Sequence, residues 1–210
     1  RALNEGRCTL AGFHTQSQPK DVSHTAKAYR DLLKPGLHKI IGFATRTQGL
    51  ITAPGNPKKI RNLSDVVTTQ ARFVQRSHGT GTRVLLDDLL SQDQLTTHAL
   101  NNTADEEPSH TALAEAIASG RGDVGLGIES SARTRGLGFV PLVQEQFHLV
   151  CLKSALDTPA TQALRALLQE TTWHEALNTL PGYQVQDSGQ VQSLNKQLPW
   201  WTFKRAKKTS

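Results

Sequence analysis

The sequence has few cysteines, few aromatic residues and no long hydrophobic run. Its two cysteines, Cys8 and Cys151, lie 143 residues apart and neither belongs to a CxxC pair. This excludes zinc-ribbon and thioredoxin-like redox motifs; a disulfide between the two cysteines is left open. No apolar run approaches the roughly 18 residues of a membrane-spanning helix, so no membrane insertion is predicted. A hydrophobic content of 37%, with 5% aromatic residues, is typical of a globular chain with a modest core.

Motifs of the common catalytic sites are also missing. The sequence has no G-x-S-x-G nucleophile elbow and no HxH or HExxH spacing. In the glycine-rich stretch at 79–83 the second glycine is followed by Thr82, whereas a P-loop has lysine there. A GxGxxG string at 120–125 lies between a predicted helix and a predicted strand, the reverse of the order that a dinucleotide-binding fingerprint requires. We therefore predict that the chain is not an enzyme and needs no cofactor.

The positive charge is concentrated at one end of the chain. The formal net charge is +6 and the isoelectric point about 9.6. Lys204, Arg205, Lys207 and Lys208 supply four of the excess positive charges, within a predicted basic tail at 199–210. No helix-turn-helix, zinc-finger or RNA-recognition motif accompanies them. The pattern indicates a solvated tail rather than a nucleic-acid-binding face.

Predicted strands and helices alternate along the chain, which indicates an α/β fold with mostly parallel strands. The predicted strands are at 8–13, 38–52, 71–75, 123–128, 137–142 and 146–153. The predicted helices are at 26–33, 63–67, 84–91, 109–120, 129–131, 161–170 and 173–180. Residues 1–7 resemble the end of a helix, and 92–108 an exposed connection with at most a short β segment. Ligands of such folds bind at the carboxyl ends of strands, which makes the loops at 14–16, 77–82 and 129–130 candidate binding positions.

The stretch from Ser77 to Thr82 separates a predicted strand from a predicted helix. Its glycines, its hydroxyls and the N–H groups of the helix start would form a cradle for an anion. A capped helix after a tight turn is the alternative reading of the same residues. Arg83 favours the anion, because a cation in the first turn opposes the helix dipole and a bound anion would remove that conflict.

Three histidines and two polar residues in an apolar run are further candidates. His14, His78 and His110 each lie in a predicted loop or at a predicted helix start, where they would donate to an anion or, by converging, bind a metal ion. Arg46 and Gln48 interrupt an otherwise apolar strand. They mark either a strand passing a binding cleft or an exposed β-bulge.

An ordered set of short motifs resembles a known family. The motifs are Gly12-Phe13-His14, Arg46-Thr47-Gln48-Gly49-Leu50, Ala53-Pro54-Gly55-Asn56-Pro57, Gly79-Thr80-Gly81-Thr82-Arg83-Val84-Leu85-Leu86-Asp87, His110 with Ala118-Ser119-Gly120-Arg121, Asp123-Val124-Gly125-Leu126-Gly127-Ile128-Glu129, and Phe139-Val140-Pro141-Leu142 with Glu145. The family is the periplasmic-binding-protein-like domain found fused to helix-turn-helix regulators or molybdopterin-biosynthesis proteins. Each motif alone is weak, but their order is specific.

This resemblance spans roughly residues 2–153 and implies a two-lobed type II periplasmic-binding-protein-like fold with two crossing hinge strands. Lobe I is expected to comprise 1–44 with 147–210, and lobe II 45–146. Family members normally begin with one more strand and helix, so the first lobe is expected either to lack these elements or to have them before residue 1. Phe147-His148 also stands where the family tends to have Tyr-Asp.

The family relationship also implies a function. It predicts a non-enzymatic solute-binding domain that holds a small oxyanion, such as molybdate or tungstate, in a cleft between the lobes. Neutral N–H and O–H dipoles bind such an anion, with steering by Arg83 or Arg46. The residues predicted to bind the ligand are His14, Thr15, Arg46, Gln48, Ser77, His78, Gly79, Thr80, Gly81, Thr82, Arg83, His110, Glu129 and Ser130.

Two other functions stay open on the sequence. One is a metal-ion-binding protein that uses His14, His78 and His110. The other is the ligand-sensing domain of a transcriptional regulator, for which contact with nucleic acid would require a domain before residue 1 or the basic tail. The oligomeric state is left open.

Overall fold

The computed structural model describes residues 1–17 and 20–203. The chain divides into two compact units. The first unit consists of Arg1–Arg46 with the chain from Glu145 on, and the second unit is Thr47–Gln144. The basic residues predicted to form a solvated tail, from Lys204 on, lie outside the described residues. The predicted lobe boundaries, after residues 44 and 146, stay a prediction.

Strands and helices alternate through both units. The strands are β1 (Leu10–Gln16), β2 (His38–Thr52), β3 (Arg72–Arg76), β4 (Asn101–Glu107), β5 (Val124–Ile128), β6 (Gly138–Leu152), β7 (Tyr183–Val185) and β8 (Val191–Ser193). The helices are α1 (His24–Tyr29), α2 (Leu63–Thr68), α3 (Gly81–Gln92), α4 (His110–Ala118), α5 (Glu129–Arg133), α6 (Pro159–Leu167), α7 (Thr171–Asn178) and α8 (Leu194–Gln197). By their bounds, β2 and β6 each contribute residues to both units.

The first unit is organised around antiparallel pairs. β1 lies antiparallel to the C-terminal half of β6, with His14 opposite Phe147. The N-terminal half of β2 pairs antiparallel with β7 and β8. Phe13, Ile40 and Val150 contribute to one buried core of this unit. This core holds β1 and the ends of the two long strands in place by burial of apolar area.

The second unit is a sheet with both faces covered. The C-terminal half of β2 is antiparallel to β5, and β3 is parallel to β4 and β5. Successive residues of a strand point to opposite faces. Accordingly Leu50 packs in one cluster with Leu85 of α3, and Ile51 packs in another with Leu113 of α4. The connections from β3 to α3 and from β4 to α4 therefore leave the same edge of the sheet.

Glycines in β5 allow α4 to approach closely. A Cβ on Gly125 would lie 3.1 Å from the Leu113 side chain and 2.8 Å from the Val74 carbonyl oxygen. A Cβ on Gly127 would lie 2.6 Å from Ile51 and 3.6 Å from Nδ1 of His110. The small residues of the strand thus set the position of the first residue of α4.

Several predictions of secondary structure are confirmed. β2 has the predicted bounds, and β5 and α5 lie where the sequence placed them. The predicted cap of α4 is also present, because Ser109 accepts a hydrogen bond from the N–H of Ala112 at 3.0 Å. Both cysteines are free.

The predicted mostly parallel sheet is wrong. The sheet is mixed: β1 and the two halves of β2 have antiparallel partners, while parallel pairing joins β3 to its neighbours. The alternation of strands and helices in a sequence does not record which strands become neighbours. Two strands that continue through both units, β2 and β6, carry most of the antiparallel pairing.

Other predictions need correction at the ends of elements. His14 and Thr15 lie within β1 rather than in a loop. The two strands predicted at 137–142 and 146–153 are one, β6. Of the polar residues where the prediction broke the strand, Glu145 is buried in an ion pair with Arg46 and Gln144 is exposed. The connection at 92–108, predicted to hold at most a short β segment, contains the seven-residue strand β4. Residues 1–7 form turns, and Asn62 rather than Ser64 caps α2.

Candidate ligand-binding site

A tight turn joins β3 to α3 in the second unit. The Thr80 hydroxyl donates to the Ser77 carbonyl oxygen at 2.8 Å, and the Thr80 N–H donates to the same oxygen at 3.3 Å. Gly79 has φ of +78°, a left-handed conformation that favours glycine. The hydroxyl group of Thr80 and the conformational freedom of Gly79 therefore close the turn.

The start of α3 has no side-chain cap. Thr80 is its N-cap residue, but its hydroxyl is directed at Ser77 and accepts no hydrogen bond from the helix. In contrast, Ser109 caps α4. The first N–H groups of a helix have no partner within it, so the first turn of this 12-residue helix presents donors and a positive dipole end.

Thr82 and His110 meet beside this helix start. Thr82 Oγ1 and His110 Nε2 lie 3.3 Å apart. The Thr82 residue is only 3% exposed. His110 is the first residue of α4 and lies close to Gly127 in β5. The first turns of two helices and the end of a strand thus bring a hydroxyl and an imidazole together.

A carboxylate missed by the sequence prediction contacts the same turn. Glu106 accepts a hydrogen bond from the His78 N–H at 3.1 Å, and its Oε1 lies 3.1 Å from His78 Nε2. Nη1 of Arg83 is 3.7 Å from that Oε1. Glu106 belonged to a stretch predicted as an exposed connection. Glu106 lies at the end of β4, which is parallel to β3, so both strands end at the same edge of the sheet. Recognition of β4 as a strand would have predicted that Glu106 lies near the turn.

The other predicted residues of this unit occupy different surroundings. Gln48 is fully buried on β2, opposite Ile128 of β5. Glu129 accepts hydrogen bonds from its own helix, because Arg133 Nη2 lies 3.0 Å from Oε1. Ser130 accepts through its carbonyl oxygen from Thr134. Of these three residues, only Gln48 lies on a strand that pairs with β5. Gly127 of β5 is close to His110.

The predicted residues of the first unit meet at a buried carboxylate. Glu145 is 1% exposed; its Oε1 lies 2.5 Å from His14 Nδ1, and its Oε2 accepts from Arg46 Nε at 3.0 Å. Arg46 also donates to Tyr183 and lies over the Phe147 ring, 5.1 Å from its centroid. A buried arginine requires such an acidic partner, which is the signal that would have placed Glu145 beside Arg46.

Burial and these charges shift several pKa values. Burial disfavours the charged form of Arg46, but Glu145 and Tyr183 raise its pKa overall. The pKa of Tyr29 is raised by burial and by Glu145. Burial, with a smaller contribution from His14, lowers the pKa of His148 to about 4. His148 is therefore a neutral ring at pH 7, and its Nε2 lies 3.3 Å from Thr15 Oγ1.

The predicted metal site gains no support. Within residues 1–17 and 20–203, no group of three or more His, Cys, Asp or Glu side chains is arranged to hold a metal ion. His14 contacts Glu145, His78 contacts Glu106 and His110 contacts Thr82.

No helix of the described chain has the length and apolar character needed to cross a membrane.

Comparison with known proteins gives the family. A sequence profile of the PBP superfamily domain, the periplasmic-binding-protein-like domain, matches residues 1–169. The uncharacterized protein YvgK of Bacillus subtilis (strain 168) is 27% identical over 189 residues, which are 90% of this chain and 60% of YvgK. The chain thus spans less than two thirds of that relative's length.

Two solved structures have a similar fold at low identity. A Clostridium perfringens substrate-binding protein assigned to phosphate ABC transport, with bound phosphate, has a TM-score of 0.62 at 14% identity, covering 88% of this chain and 82% of that one. PEB3 of Campylobacter jejuni, with bound L-phospholactate, has a TM-score of 0.55 at 20% identity, covering 70% and 68%. The predicted family and type II fold are confirmed. The chain belongs to the PBP superfamily and is a PBP-like ligand-binding domain.

Proposed function

We propose that the chain is a non-enzymatic solute-binding domain for a small oxyanion of the molybdate and tungstate kind. The observation that carries this proposal is the uncapped start of α3, against which the Thr82 hydroxyl and the His110 ring are brought together. Each group donates to an anion without itself carrying a fixed negative charge. The half-site in the second unit is therefore the main ligand-binding element of the proposal.

The chemistry of this half-site suits a tetrahedral oxyanion. Backbone N–H groups at a helix start, a hydroxyl and an imidazole N–H are short, directional donors. Charge-assisted hydrogen bonds from such donors stabilise a desolvated anion without a full counter-charge. Phosphate and a phosphorylated hydroxy acid, the ligands of the two similar structures, are oxyanions and support this ligand class.

The first unit contributes less in this proposal. His14 and Arg46 already contact Glu145, so their charges are compensated before a ligand arrives. The participation of His14, Thr15 and Arg46 in binding the same oxyanion stays a prediction of the family resemblance. So does a role as the ligand-sensing domain of a regulator.

Isothermal titration calorimetry on the full chain tests the proposal. Molybdate, tungstate, sulfate and phosphate are titrated separately, and the unfolding temperature is measured with each anion. We expect saturable heat and a raised unfolding temperature with at least one of the four, because a ligand that binds only the folded state stabilises it. The absence of both effects with every anion would overturn the proposal.

A further inference from the structure

Glu106 contacts His78 and Arg83, two of the residues that the sequence predicts to bind the ligand. Its two carboxylate oxygens lie 3.1 Å from the His78 N–H nitrogen, 3.1 Å from His78 Nε2 and 3.7 Å from Arg83 Nη1. Nη1 of Arg83 has no hydrogen-bond partner within the described residues. A protein carboxylate is itself an oxyanion, so these contacts are of the kind expected of an anionic ligand.

The register of β4 places Glu106 there. Opposite β3, the pairing runs from Phe73↔Asn102 to Gln75↔Glu106, with an irregularity between the two pairs. Without it, a regular register would place Ala104 opposite Gln75. Two extra residues in β4 thus place Glu106 opposite Gln75, whereas a regular register would place it opposite Ser77 at the start of the turn. Bulges are typical of positions where a strand redirects a side chain near a functional site.

We infer that Glu106 is an intramolecular competitor of the bound oxyanion, which sets the affinity of the site and excludes weakly binding anions. This inference rests on the proposed function of the same half-site. The Glu106 carboxylate accepts a hydrogen bond from the His78 N–H and lies beside the side chains of His78 and Arg83. A ligand displaces Glu106 from these donors or binds next to its negative charge.

Displacement of the Glu106 carboxylate from His78 costs little free energy, because both side chains are exposed. The side chains of His78 and Glu106 are 77% and 35% exposed, so water replaces the contact between them when the carboxylate is displaced. Exposed ion pairs contribute little to folding stability. The geometry therefore assigns Glu106 to control of binding rather than to stabilisation of the fold. Removal of a buried carboxylate leaves its cationic partner uncompensated and destabilises the fold. Removal of Glu106 should instead change the affinity for the anion and leave the stability nearly unchanged.

The test compares Glu106→Gln with Asp105→Asn in the full chain. Both variants remove one negative charge from neighbouring positions of β4. Asp105, however, lines a separate groove beside Ala116 and Arg121. Calorimetry with molybdate, tungstate and sulfate measures the dissociation constants, and urea unfolding measures the stability of each variant. Glu106→Ala is a second variant, which removes the hydrogen-bond acceptor as well as the charge.

We expect Glu106→Gln and Glu106→Ala to bind the oxyanion about three- to tenfold more tightly than the wild type. Asp105→Asn is expected to change the affinity less than twofold, roughly the long-range effect of one screened charge. Equal affinities of the wild type and both Glu106 variants would overturn the inference and leave the proposed function intact. An equal gain in Asp105→Asn would also overturn it. Absence of binding in every protein would overturn the proposed function, and the inference with it.

Discussion

The two units contain the same trio of residue types in opposite settings. In the first unit, His14 and Arg46 contact Glu145, and the side chains are 11%, 9% and 1% exposed. In the second unit, His78 and Arg83 contact Glu106, with side chains that are 77%, 12% and 35% exposed. Burial makes the first cluster a closed ion pair whose members satisfy one another. Exposure of His78 and Glu106 leaves their contact open to exchange with a ligand.

This difference teaches that residue type alone does not identify a binding site. A histidine, a glutamate and an arginine in contact stabilise a fold when water is excluded, because a lone buried charge is costly. An exposed pair such as His78 and Glu106 is only weakly held together. The following predictions test this contrast, from the largest expected effect to the smallest.

Glu145→Ala is expected to destabilise the protein by about 3–5 kcal/mol, because it leaves Arg46 buried without its acidic partner. Urea unfolding measures the change. The matched control is Glu115→Ala, which removes an ion pair with Arg135 from a carboxylate that is 61% exposed; we expect a loss of less than about 1 kcal/mol. Equal losses in the two variants would show that the first cluster is not a closed ion pair.

His148 is expected to make the stability of the first unit depend on pH. Its pKa is about 4 in the folded protein and about 6.5 in the unfolded chain. Below about 6.5 the unfolded chain binds a proton that the folded protein does not. The stabilisation from neutral His148 is therefore fully present above that pH and is lost as the pH falls towards 4.

The size of this loss is about 3 kcal/mol. Urea unfolding of the wild type and His148→Gln between pH 7 and pH 4 measures it, since the variant side chain does not titrate. We expect the free energy of unfolding of the wild type to fall more steeply than that of the variant. Parallel pH profiles would contradict the lowered pKa.

Thr82→Val is expected to weaken oxyanion binding about tenfold or more, because a hydroxyl donor next to His110 is replaced by a methyl group of similar size. Calorimetry with molybdate measures the affinity. Thr161→Val is the control: Thr161 is also buried, but its hydroxyl accepts from Thr158 in the first unit. A similar loss of affinity in both variants would argue against a specific role for Thr82.

The smallest expected effect concerns the two helix starts of the second unit. Ser109→Ala removes the cap of α4 and should cost about 1 kcal/mol. Thr80→Ala removes no cap from α3, so its cost should be smaller and should come from the lost bond to Ser77. Urea unfolding compares the two. A larger loss for Thr80→Ala would mean that its hydroxyl stabilises α3 after all.

The sequence predicted much of the candidate site because that part is local. The strand, glycine turn and helix from Arg72 to Gln92 follow from apolar pattern and turn chemistry. The cap at Ser109 follows from residue type. The partners of these residues were not predictable in this way. Glu106 is 28 residues from His78, and Glu145 is 99 residues from Arg46.

The sequence by itself determined where the chain turns, where helices start and which short motifs mark the family. Only the tertiary structure decided which carboxylate meets which cation. The parallel pairing of β4 with β3 brings Glu106 into contact with His78, and the pairing of β1 with β6 brings His14 close to Glu145. Local structure depends on neighbouring residues, whereas burial and ion pairing depend on strand register, which a single sequence does not specify.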